Sequence, residues 1–172
     1  MESVIRRAKD DEIESSLSVH VMAEVGALLN RKWRYFSSRV SVGFVPEKNP
    51  QLFLGVCLGV DNYDAFYTIP FSFSFKYYFS EKGFKTEDEW SISCLADFGT
   101  PLSVHEKVEY IENFGGGHPF YDLGLSLHSP FSKPNFLFTI YYKHQSINEW
   151  SILNEYTSTN YSSFNLNIGI LF

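Results

Sequence analysis

The sequence contains no apolar run that approaches the roughly 18 consecutive residues a transmembrane helix requires, although 44% of its 172 residues are hydrophobic. Positive charge is also scarce, because 14 Lys and Arg residues are outnumbered by 20 Asp and Glu residues, for a net charge of −6. The basic residues are dispersed and form no patch for a polyanion. These absences exclude a helical membrane protein and argue against a nucleic-acid partner.

Cysteine is scarce as well. Cys57 and Cys94 are too few for a disulfide scaffold, and their spacing does not match a metal site. The N-terminal stretch MESVIRRAKDDEIE is charged and lacks the apolar core of a secretory signal. We therefore expect a charged tail over residues 1–15 and a single domain over residues 16–172. For an exported protein, this start implies that a signal was removed or that the start is misassigned.

What the sequence does contain is strand-like alternation rich in aromatic residues, with 17 Phe and 11 Tyr. Large apolar side chains occupy every second position, and Ser, Gly or Asn often stand between them, as is typical of strands. The pattern is clearest over residues 67–79. Further strands are predicted over residues 16–29, 38–44, 52–60, 90–98, 121–127, 136–142 and 164–172. The fold class is therefore all-β, and the even number of strands suits closure into a barrel.

Alternation alone does not decide whether the apolar face points inward, as in a soluble lipocalin-like carrier of an apolar ligand, or outward to lipid. The volume of the barrel does. An eight-stranded interior is just wide enough for side chains to fill it, so about forty large apolar residues could not fit inside. We therefore predict an eight-stranded antiparallel up-and-down transmembrane β-barrel, with outer-membrane lipid against the apolar face. The soluble carrier is the alternative.

The predicted inward face carries charged residues. They are Glu24, Arg39, Lys76, Asp97, Asp122 and Lys143. The first two lie at nearly opposed positions across the first hairpin, and the last two do so across the hairpin that turns near residue 132. Lys76 and Asp97 belong to neighbouring strands with an offset register. Because buried charges require partners, we expect a network that plugs the lumen; the alternative is that these charges line a proton or ion path.

The connections between strands predict an orientation. Residues 46–51, 82–88 and 129–135 form the shorter connections, whereas residues 100–119 and 148–160 form the longest ones. Outer-membrane barrels place short turns in the periplasm and long loops outside. We therefore expect both termini in the periplasm and a possible ligand or partner at the two long loops.

Two segments resemble bacterial outer-membrane proteins. FNLNIGILF, residues 164–172, resembles the C-terminal assembly signal of such barrels, and residues 55–79 look like the paired third and fourth strands of small barrels in the outer membrane protein beta-barrel domain class. The resemblance implies insertion by the outer-membrane assembly machinery through the strand that ends in Phe172. It implies no particular activity, because this fold has many functions. The leading hypothesis is a non-enzymatic envelope protein with a structural or binding role.

A His-x-Ser motif suggests a second hypothesis. The segment YYKHQS, residues 141–146, is similar to the lipid A deacylases of the outer membrane, whose barrels carry a His and Ser pair. The resemblance implies that His144 is a general base and Ser146 a nucleophile that attacks a lipid acyl ester. The sequence departs from that family at Ile147, where the family has Asn, and near Ser162, where it has the Glu that orients the base.

The predicted loop at residues 100–119 contains further polar residues. His105, Glu106, Glu109 and His118 have a spacing that matches no known metal site. FGGGHP, residues 114–119, lacks the Lys and Ser or Thr of a phosphate-binding loop. We expect a solvated loop here, and neither a metal nor a cofactor.

Overall fold

The computed structural model of the protein describes most of the chain. The described residues are 17–29, 34–63, 66–81, 83, 89–106, 114–115, 118–130, 135–150 and 156–172. The tail predicted over residues 1–15 lies outside them. No helix in the described part is both long enough and apolar enough to span a membrane.

The described residues form a closed antiparallel sheet. Its strands are β1 (Leu17–Leu29), β2 (Arg34–Pro46), β3 (Leu52–Asn62), β4 (Phe66–Tyr78), β5 (Ser91–Glu106), β6 (Phe114–Gly115), β7 (Phe120–His128), β8 (Asn135–Trp150) and β9 (Tyr156–Leu171). Each of the eight long strands pairs with its neighbour along the chain, and β9 also pairs with β1, which closes the barrel. The two-residue β6 pairs with β8 alone. The predicted eight-stranded antiparallel barrel is confirmed.

The apolar face of each strand points outward, as the volume argument predicts. Along β4, Phe73 is 67% exposed, whereas its neighbours Ser72 and Ser74 are buried. Side chains alternate between the two faces of a strand, so one period-2 pattern places bulky residues outside and small or polar residues inside. This arrangement is the reverse of the one expected for a soluble carrier, which keeps its apolar side chains within the barrel.

Four strands, β2, β5, β8 and β9, extend well beyond their hydrophobic pattern. β5 continues to Glu106, which pairs with Phe66, and the β8–β9 hairpin continues until Trp150 pairs with Tyr156. The predicted loop bounds of 100–119 and 148–160 were therefore wrong. Hydrophobic alternation marks only the part of a strand that bears an apolar face, whereas backbone pairing continues through the Thr, Ser and Asn residues beyond it.

Large side chains fill both ends of the lumen. At the end where β1 begins and β9 finishes, which we call the terminal end, six inward residues pack together. They are Met22, Val45, Phe53, Tyr78, Leu137 and Leu171. At the opposite end, which we call the loop end, Leu28, Tyr63 and Phe66 pack with Tyr161. The sequence analysis expected a mainly polar inward face, and the structure adds an apolar layer on each side of it.

Candidate functional site

The centre of the lumen is organised around Arg39 on β2. Its guanidinium Nη1 lies 3.0 Å from an oxygen of Asp97 on β5, and Nη2 lies 3.0 Å from an oxygen of Asp122 on β7. Nη2 also donates a hydrogen bond to the hydroxyl of Tyr141, whose ring centre lies 4.1 Å from the guanidinium carbon. One planar cation thus joins β2 to three other strands, β5, β7 and β8, which is the geometry that suits arginine in buried ion pairs.

Tyr141 stands opposite Gly124 of β7 in the backbone register. A Cβ atom at Gly124 would lie 2.2 Å from the carbonyl oxygen of Ile140 and 2.4 Å from the Cβ of Tyr141. Such a close approach excludes any side chain at this position. The glycine therefore allows the Cβ of Tyr141 and the carbonyl of Ile140 to lie this close to β7.

A second ion pair lies closer to the loop end. Lys143 on β8 contacts Asp61 on β3, and the other oxygen of Asp61 accepts a hydrogen bond of 2.7 Å from Ser37. The Lys143 ammonium also lies 4.2 Å from the ring centre of Phe120. The sequence analysis did not select Asp61. The available signal was its place in the two-residue alternation of β3, because Asp61 continues the series of small residues Gly55, Cys57 and Gly59 that stand between the large apolar ones.

Glu24 and Lys76 occupy the half of the lumen nearer the terminal end. An oxygen of Glu24 accepts a 2.6 Å hydrogen bond from Thr139, whose hydroxyl lies 3.0 Å from that of Ser126. Lys76 donates to the sulfur of Met22 at 3.3 Å. All six charged residues selected from the sequence are buried, with at most 7% of each side chain exposed.

The ion pairs differ from those that strand adjacency suggested. Glu24 stands opposite Arg39, and Asp122 stands opposite Lys143, in the backbone register. Arg39 nevertheless pairs with β5 and β7 across the lumen, and Lys143 pairs with β3. Long side chains in a narrow barrel extend toward its axis, where they meet residues from the far wall.

His144 and Ser146 lie on the outer face of β8, and they do not form a pair. His144 Nδ1 lies 3.0 Å from the hydroxyl of Ser162, the residue directly opposite on β9. Ser146 instead donates to Asn160 at 2.6 Å and lies 3.2 Å from the hydroxyl of Ser158. Among the described contacts, no hydrogen bond joins the two residues, and a hydroxyl occupies the place where the deacylase resemblance puts a carboxylate.

Aromatic rings surround this polar group. The ring of Tyr121 on β7 stacks on that of His144 with centres 5.4 Å apart, and Tyr142 donates a 3.0 Å hydrogen bond to Ser162. We call His144, Ser162, Tyr142 and Tyr121 the outer-wall cluster. It can hydrogen-bond a polar molecule at the barrel surface. The hydroxyl of Ser162 lies within hydrogen-bond reach of the His144 imidazole, but no described contact joins His144 to a carboxylate that would orient it as a general base.

The fold geometry can be compared with known proteins. The chain is similar to Neisserial surface protein A, NspA. Their structures match with a TM-score of 0.60 at 15% sequence identity, over 91% of this chain and 99% of the NspA chain. At this identity, the similarity to NspA shows the fold. No family model matches the chain, and no curated protein sequence matches it.

The other predicted polar groups form no site among the residues that the structure describes. Within the described residues, no group of three or more His, Cys, Asp or Glu side chains could hold a metal ion. The side chains of His105, Glu106 and Glu109 lie outside the described part, and His118 donates its backbone N–H to the carbonyl of Ser146 at 3.1 Å. Cys57 and Cys94 are free thiols.

Proposed function

We propose that this protein is a non-enzymatic bacterial outer-membrane barrel with a filled lumen and a structural or binding role in the envelope. The observation that carries the proposal is the contrast between the two faces of the wall. Large apolar side chains such as Phe98, Leu123 and Ile168 are more than half exposed outside, whereas Arg39 and Lys143 are buried inside. An apolar exterior of this extent is unstable in water and suits lipid.

The closed sheet supports the same proposal. A bilayer core offers no water to unpaired backbone groups, so only helices and closed barrels can cross it. Here the pairing of β9 with β1 removes the sheet edge at the level of the apolar belt. The similarity to NspA, which is named a surface protein, agrees with a place in the envelope.

An orientation belongs to the proposal. The link from β2 to β3 at the terminal end is short, and the backbone N–H groups of Asn49 and Leu52 donate to Pro46 and Asn49 at 3.0 and 3.1 Å. The extended β8–β9 hairpin lies at the loop end. We place the terminal end in the periplasm, where the assembly machinery would meet the last residues of β9 and Phe172, which follows them.

The test is how the protein behaves with and without detergent. The folded barrel should remain monodisperse only in detergent micelles, and it should migrate differently on a denaturing gel before and after boiling, because a closed barrel resists the detergent until it is heated. A sample that stays monodisperse in plain buffer would overturn the membrane assignment. Boiled protein serves as the unfolded control.

The filled lumen and the arrangement of the outer-wall cluster predict no acyl-ester hydrolysis. Barrel in mixed micelles with lipid A or phospholipid should release no fatty acid above a protein-free control, because Ser146 bonds to Asn160 rather than to His144 and no described carboxylate orients the imidazole. The Ser146→Ala variant should likewise release no fatty acid above the control. Fatty acid release by the wild type that disappears in Ser146→Ala would contradict the non-enzymatic proposal.

A further inference from the structure

An apolar groove runs along the outer wall where β7, β8 and β9 lie side by side. The residues that line it project from these three strands, together with Ile92 from β5. The groove is lined by Leu125, Leu127, Phe138, Ile140, Leu166 and Ile168. The outward lining residues of β8, Phe138 and Ile140, span about 7 Å of strand at the usual rise per residue. This apolar lining suits a segment of an acyl chain that lies along the barrel.

The outer-wall cluster continues the groove toward the loop end. Tyr142 and His144 are the next two outward residues of β8 after Ile140, and Phe164 and Ser162 follow Leu166 on β9. The rings of Tyr142 and Phe164 lie 5.5 Å apart, at the boundary between the apolar and polar parts. Along the outer face of β8 and β9, the side chains thus change from aliphatic to aromatic to hydrogen-bonding toward the loop end.

The chemistry of the polar end favours a sugar over a phosphate. The described outward side chains of β7, β8 and β9 include no Lys, Arg, Asp or Glu. They offer instead the hydroxyl of Ser162, the amide of Asn160 and the imidazole of His144, whose Nε2 makes no hydrogen bond within the described part. Neutral groups that both donate and accept match sugar hydroxyls, whereas a phosphate is normally held by a cation.

We propose that this wall binds one glycolipid molecule, with an acyl chain in the groove and sugar hydroxyls on His144, Ser162 and Asn160. The inference rests on the proposed membrane location and orientation, which put the loop end at the outer leaflet. Polar groups that face lipid are costly unless they are bonded, and a sugar hydroxyl at this height would give His144 Nε2 the partner that the described residues do not supply. The site is separate from the buried lumen network.

Native mass spectrometry of the full chain tests the proposal. Barrel released from detergent micelles is incubated with dioleoyl diglucosylglycerol or with dioleoylphosphatidylglycerol, which differ only in the headgroup. We expect the wild-type barrel to retain one molecule of the diglucosyl lipid in preference to phosphatidylglycerol. The double variant His144→Leu with Ser162→Ala should lower that retention about tenfold, because two hydrogen-bonding groups are removed.

Ser38→Ala is the matched control, since Ser38 is a half-buried residue of β2 between the exposed Phe36 and Val40. It should retain the diglucosyl lipid as the wild type does. If both lipids were retained equally and the double variant changed neither, the lipid would be bound nonspecifically around the barrel. That result would overturn the proposed site. Preference for phosphatidylglycerol would overturn the sugar assignment. Heat-modifiable migration of every variant separates these results from failure of the barrel itself, which would overturn the proposed function.

Discussion

Arg39→Met is expected to lower the free energy of unfolding by about 3–5 kcal/mol, the usual cost of removing one partner from a buried ion pair. The substitution leaves Asp97 and Asp122 buried without the cation that both contact, and it removes the hydrogen bond to Tyr141. Unfolding by urea in detergent or lipid vesicles, followed by the fluorescence of the three tryptophans, measures the change.

Two further variants test whether the loss of stability in Arg39→Met comes from the unpaired buried carboxylates. Lys48→Met removes a cation from an exposed turn and should change stability by less than about 0.5 kcal/mol. The triple variant Arg39→Met, Asp97→Asn, Asp122→Asn removes the two carboxylate charges together with the cation that pairs with them. It should therefore recover much of the lost free energy of unfolding. If Arg39→Met alone unfolded at the urea concentration of the wild type, the buried network would not hold the barrel together.

Phe73→Arg should destabilise the inserted barrel by about 2–4 kcal/mol, since this is the cost of an arginine on the lipid face near the bilayer midplane. Phe73 lies in the middle of β4, and its side chain points outward. The same unfolding measurement in lipid vesicles gives the value.

Phe79→Arg is the matched control. Phe79 is also exposed and follows the end of β4, about 20 Å along the strand from Phe73 at the usual rise per residue. Near the interface, the same substitution should cost only about 0–1 kcal/mol. Equal small costs at both positions would mean that water, and not lipid, surrounds the barrel.

The prediction of the barrel rested on side-chain period and volume, and both are local or additive properties. Alternation over residues 67–79 predicted β4 and its outward face, and the structure agrees along its length. Strand ends were less predictable. The polar residues that extend the β8–β9 hairpin to Trp150 and Tyr156 show no apolar period, and only backbone pairing reveals them.

The sites were predicted in part. The position of each residue in the two-residue alternation of its strand was enough to select six buried charged residues. The sequence analysis nevertheless missed Asp61, the partner of Lys143. It also placed His144 and Ser146 on one face, where they remain about 7 Å apart along the strand and bond to different residues of β9. The role of Ser162 between His144 and Tyr142 depends on the register of two strands, which a single strand does not encode.

The sequence by itself determined that the chain is an all-β barrel with its bulky face outward, because a period of two and the limited volume of eight strands leave no other place for those side chains. Only the tertiary structure decided which residues meet. Arg39 reaches Asp97 and Asp122 across the lumen because the wall curves until distant strands face each other. Curvature and register arise from closure, which joins β9 to β1 at opposite ends of the chain.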